Sequence, residues 1–124
     1  MIQPLAMVFY ENLLPGTQLV NRLQDLGYRV STVNDPPALL RQAQQDKPMI
    51  ILADLASRQT DICSAISGLK SNPETGHIPV IAFSSQQREN LQTAARAAGA
   101  DLVATDNAVL THLAQLLGQA LEIE

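Results

Sequence analysis

Pro48-Met49-Ile50-Ile51-Leu52-Ala53-Asp54 is the stretch that decides the fold. Its unbroken apolar run, bounded by Lys47-Pro48 and closed by a carboxylate, reads as a strand covered on both faces. A strand with one wet face would alternate polar and apolar residues instead. Asp54 then falls at the carboxyl edge of a sheet, where open α/β sheets place their ligands.

Working outward, residues 5–9 (Leu-Ala-Met-Val-Phe) repeat the pattern of a buried strand. Residues 15–26 follow as an amphipathic helix with Leu19, Val20, Leu23 and Leu26 on one face and Gly27 as its stop. Tyr28 to Val33 alternates as an edge strand does. Asn34 or Asp35 is placed to cap a helix with Pro36 in its first turn, and Leu39, Leu40 and Ala43 form its apolar stripe. Beyond Asp54, a helix through Ile62, Ala65, Ile66 and Leu69 stops near the turn Asn72-Pro73-Glu74-Thr75. Residues 78–83 form a fourth strand, and a helix capped by Ser85 runs to Gly99. Residues 101–104 form a short fifth strand. A last helix carries Val109, Leu110, Leu113, Leu116, Leu117 and Leu121. Strict strand–helix alternation with right-handed crossovers predicts a parallel sheet with helices on both faces. Its strand ends bring Glu11, Asp54, Ser84 and Thr105-Asp106 to one crevice.

Composition narrows the partners. The 124 residues fit one domain, 1–124, with no output domain after the fifth helix. Aromatics make up 3%, so Leu, Ile, Val and Ala must build the core. A net charge of −4 with scattered basic residues argues against a nucleic-acid or anionic-membrane surface. Cys63 is the single cysteine, which fits a reducing, cytoplasmic setting and excludes a cysteine-based zinc cluster. No apolar run approaches the roughly 18 residues needed to span a bilayer. Neither a phosphate-binding glycine loop nor a nucleophile–base pair is present, so an enzyme is not expected.

In order and spacing, Pro48 to Leu55, Asn72-Pro73-Glu74-Thr75, Ile78-Pro79-Val80-Ile81 and Ala98-Gly99-Ala100-Asp101 resemble the receiver domain of bacterial response regulators. The resemblance covers nearly the whole chain. It implies a flavodoxin-like (βα)5 three-layer sandwich with a parallel five-stranded sheet of order 2-1-3-4-5. It also implies that Asp54 is the candidate phosphoacceptor and that the Ser84 hydroxyl hydrogen-bonds the phosphoryl group. Mg²⁺ is the implied cofactor, with Glu11 and Asp54 as its candidate ligands and Asp106 as a further one.

Several positions depart from the family pattern. Tyr10-Glu11 replaces a pair of adjacent acids, which implies weak Mg²⁺ binding. Asp106-Asn107 replaces the phosphate-contacting lysine and its proline. Val103 stands where an aromatic usually reports phosphorylation, and Arg58 and Ile62 replace a loop proline and glycine. Phosphoryl transfer to a carboxylate relies on a cation and a metal to neutralise charge. An acid in place of the lysine adds a like-charge contact of about 3–4 kcal/mol at ~5 Å and an effective dielectric near 20.

Plainer roles compete for the same residues. Asp106 is also placed to cap the last helix, Asp54 could be a solvated strand-end acid, and Glu11 alone reads as a loop acid. Cys63 reads as a small core residue, and His77 and His112 as surface residues. The expected function is therefore a pseudo-receiver that works by protein–protein contact with little or no phosphorylation. The family's partner face would draw on residues 86–121, including Arg88, Glu89, Gln92, Arg96, His112 and Gln115, and a homodimer through it is one form of partner. The alternative is a working single-domain response regulator phosphorylated on Asp54 by a histidine kinase.

Overall fold

Alternation of strand and helix is what the chain builds, and the computed structural model describes residues 4–9, 13–33, 36–55, 62–84 and 89–122. The strands are β1 (Leu5–Phe9), β2 (Arg29–Val33), β3 (Ile50–Asp54), β4 (Val80–Ser84) and β5 (Leu102–Thr105). The helices are α1 (Leu13–Asp25), α2 (Pro36–Asp46), α3 (Ile62–Ser71), α4 (Glu89–Ala98), α5 (Asp106–Thr111) and α6 (Leu113–Glu122). All strand pairs are parallel, in the order β2-β1-β3-β4-β5. This is the expected flavodoxin-like sheet.

β3 is buried at every residue, as its unbroken apolar run requires. Because side chains alternate along a strand, it serves two cores at once. Ile51 and Ala53 join Leu39, Ala43, Ile66, Leu69 and Ala95 from α2, α3 and α4. Ile50 and Leu52 join Leu19, Leu23, Val109, Leu113 and Leu117 from α1, α5 and α6. Tyr28 packs on this second core, and burial pushes its phenol above the ordinary value.

Both predicted glycine stops are used. Gly27 has φ 92°, Tyr28 N donates to Leu23 O at 3.0 Å, and Gly27 N donates to Gln24 O at 3.0 Å. Gly99 has φ 113°, with Ala100 N on Ala95 O and Gly99 N on Arg96 O, both at 3.1 Å. Each is the paired helix-ending motif that needs a left-handed residue, which glycine adopts without strain. The turn after α3 also forms as expected: Asn72 Oδ1 accepts from Glu74 N at 2.9 Å, and the Asn72 carbonyl accepts from Thr75 N at 3.1 Å.

Some boundaries shift. α1 starts at Leu13 and ends at Asp25, so Leu26 lies in the turn and is 40% exposed, not on the buried face. Met49 precedes β3 and is 47% exposed, its N–H donating to Leu5 O. β4 begins at Val80, since Pro79 has no N–H for the ladder, although its carbonyl accepts from Ile51 N. The last helix is two pieces, α5 and α6, separated at His112 (φ −117°, ψ 29°). Hydrogen bonds continue across that residue, from His112 N to Ala108 O and from Leu116 N to His112 O. Neither proline nor glycine stands at the bend, and nothing in the structure explains it.

At the amino edge, Asp101 ties β5 to β4. Its backbone N donates to Val80 O at 2.9 Å, while its Oδ2 accepts from Val80 N at 2.8 Å. Lys70, at the end of α3, reaches the same Oδ2 at 2.7 Å and donates to Ile78 O at 2.8 Å. The clamp fixes the register that carries β4 and β5 to the opposite edge, where Ser84 pairs with Thr105.

Candidate functional site

At the carboxyl edge, three neighbouring strands end together. Asp54 is the last residue of β3 and pairs with Phe83, and Ser84 of β4 pairs with Thr105 of β5. Asp106 follows at once as the first residue of α5. The register therefore brings Asp54, Ser84 and Asp106 to adjacent strand ends, as expected. Glu11 lies outside the described residues, as do Tyr10 and Arg58.

Asp54 is not a solvated strand-end acid. The β3–β4 ladder runs one residue past it, with Leu55 N donating to Phe83 O at 2.8 Å. Asp54 is 2% exposed and its Oδ2 is buried. Burial of a carboxylate is tolerated only where other groups or ions compensate its lost hydration. Alternation along β3 sets it on the side of Ile50 and Leu52, the side covered by α1 and α5.

The cap of α5 is Thr105, which corrects the expectation for Asp106. Thr105 is extended (φ −85°, ψ 162°), and its hydroxyl accepts from Ala108 N at 3.1 Å. The chain can turn from strand to helix here because a β-branched residue suits the strand and its hydroxyl suits the helix start. Asp106 thus occupies the first helical position, where a negative charge is favoured by the helix dipole. Thr105→Ala is expected to cost about 1 kcal/mol, read as a melting temperature lowered by roughly 3–5 °C. Thr105→Ser should restore it.

Divalent cations of this kind want several oxygen ligands. Among the described residues, no three His, Cys, Asp or Glu side chains gather closely enough to hold a metal ion. Asp54 is the one buried carboxylate among the described residues. His77 and His112 are exposed, as expected of surface residues. The side chain of Cys63 lies outside the description.

No protein-family model matches the chain. Response regulator PleD of Caulobacter vibrioides is 43% identical over 54 residues, 44% of this chain but 12% of PleD. Among solved structures, the receiver domain of the sensor histidine kinase PA1611 from Pseudomonas aeruginosa, with magnesium coordinated in its active-site cleft, superposes with a TM-score of 0.87. It is 21% identical, and the match covers 97% of this chain and 98% of that one. The fold is that of a response-regulator receiver domain. The phosphorylated cyanobacterial phytochrome response regulator RcpA shares this receiver fold at 24% identity and a TM-score of 0.76, over 94% and 89% of the two chains. Within the receiver fold of this chain, the Lys70–Asp101 clamp and the Thr105 cap were not foreseen. Residues distant in sequence give no local sign of pairing, whereas a threonine ahead of a helix is a readable cap signal.

No helix of the described residues is long and apolar enough to cross a membrane.

Proposed function

We propose that this chain is a pseudo-receiver of the two-component type: a regulatory module that acts by protein–protein contact, with little or no phosphorylation of Asp54. One observation carries the reading. β5 passes directly into α5 with an acid, Asp106, at the helix start, where receivers present a lysine to the phosphoryl group. The strand before it is held beside Ser84, which sets the start of α5 at the same sheet edge as the end of β3.

A phosphoryl group arriving at Asp54 would meet Ser84 as its hydrogen-bond donor and Asp106 as a like charge. Mg²⁺, held by Asp54 and Glu11 with Asp106 nearby, would supply charge neutralisation at this edge. With one acid of the usual pair replaced by Tyr10, its binding is expected to be weak. The partner surface in this reading is the 86–121 face, where Arg96, His112 and Gln115 are exposed. It suits a protein ligand, a second copy included.

The test is incubation of the whole chain with a small phosphodonor and excess Mg²⁺, followed by intact-mass measurement. The expected result is no covalent phosphate, or a trace well below one equivalent. Stoichiometric labelling that disappears in Asp54→Asn would replace this reading with that of a working response regulator served by a histidine kinase.

A further inference from the structure

Two helical layers cover the sheet unequally. α2, α3 and α4 pack on one face, whereas α1 and the α5–α6 pair share the other. Between α1 and α5 lies a furrow of about 470 Å³, lined by Gln18, Asn21, Arg22, Leu110 and Thr111. The furrow is open to solvent, with Gln18, Asn21, Arg22 and Thr111 all exposed, so a small ligand there would lie on an apolar floor beside a few polar groups. Leu110 is half-buried on the second core and supplies the floor. Two amides and a hydroxyl supply neutral donors and acceptors, and Arg22 is the one charge among the described lining residues.

Asp25 lies three residues further along α1, within the usual reach of a helix pair. Yet Arg22 forms no ion pair or side-chain hydrogen bond with any described residue. A guanidinium matches a carboxylate in planar, two-point geometry. With no lysine or second arginine among the described lining residues, this single cation balances one negative charge, so a phosphate ester carrying two is poorly matched. The net charge of −4 also disfavours a polyanionic partner.

We propose that the α1–α5 furrow binds a small amphiphilic monocarboxylate, its carboxylate on Arg22 between the Gln18 and Asn21 amides and its hydrocarbon chain on Leu110. The site is independent of the carboxyl-edge pocket and of the function proposed above. The test is a ¹H–¹⁵N NMR titration of the whole chain with hexanoate, and with hexylammonium and hexanol in parallel. Hexanoate is expected to give saturable millimolar shifts centred on Gln18, Asn21, Arg22, Leu110 and Thr111. Arg22→Gln, an exposed substitution that keeps a hydrogen-bonding amide, should weaken binding at least about tenfold. Shifts that are absent or scattered would overturn the proposal. So would hexanol or hexylammonium binding as tightly as hexanoate, or Arg22→Gln binding as well as the unaltered chain.

Discussion

Asp101→Ala is expected to lower the unfolding free energy by about 2–4 kcal/mol, which for a domain of this size means a melting temperature reduced by roughly 10 °C. Exposed ion pairs contribute about 0–1 kcal/mol, so the larger figure needs a reason. The side chains of Lys70 and Asp101 are 18% and 22% exposed and meet at 2.7 Å. One oxygen, Oδ2, serves both Lys70 Nζ and Val80 N. Removing it strands a largely desolvated ammonium beside carbonyl groups and leaves Val80 N–H without its acceptor, two separate penalties. Lys70→Met is expected to cost about half as much, because Asp101 still accepts from Val80. Thermal unfolding of both variants followed by circular dichroism checks the order. If Asp101→Ala loses under about 1 kcal/mol, the clamp is only a surface pair.

The sheet was legible because burial on both faces leaves a mark that no other strand type shares. Ile50 to Ala53 had to be apolar at every position to serve two cores, and that continuity is visible without a structure. Helix ends at Gly27 and Gly99 were legible for a similarly local reason, since a left-handed residue selects glycine. Leu26 and Met49 misled because an apolar residue adjoining an element carries the element's pattern while lying past its end. The break at His112 has no local signal at all. At the site, strand-end positions followed from register and were readable in advance, but the depth of Asp54 was not. It depends on the ladder continuing to Leu55, a tertiary fact. Thr105 was overlooked as the cap because the acid beside it is an equally good cap by type.

The second large effect concerns the missing cation. On the proposed reading, Asp106→Lys changes the charge at the start of α5 by two units, removing one repulsive contact and adding one attractive contact to an incoming phosphoryl group. Each contact amounts to about 3 kcal/mol at ~5 Å in a dielectric near 20, before screening. If screening and side-chain motion leave half of the sum, phosphoryl transfer to Asp54 accelerates on the order of 100-fold. A stability loss of about 0.5–1 kcal/mol accompanies it, since a cation replaces an acid in the first turn of a helix. The Thr105 hydroxyl bond to Ala108 N should persist, because it does not involve the substituted side chain.

The decisive measurement is the initial rate at which Asp54 takes up phosphate from a small phosphodonor at saturating Mg²⁺, in the unaltered chain and in Asp106→Lys side by side. The account predicts near-zero uptake in the first and a rate higher on the order of 100-fold in the second, abolished by adding Asp54→Asn. Rapid, stoichiometric uptake by the unaltered chain, with no gain from the lysine, would contradict it.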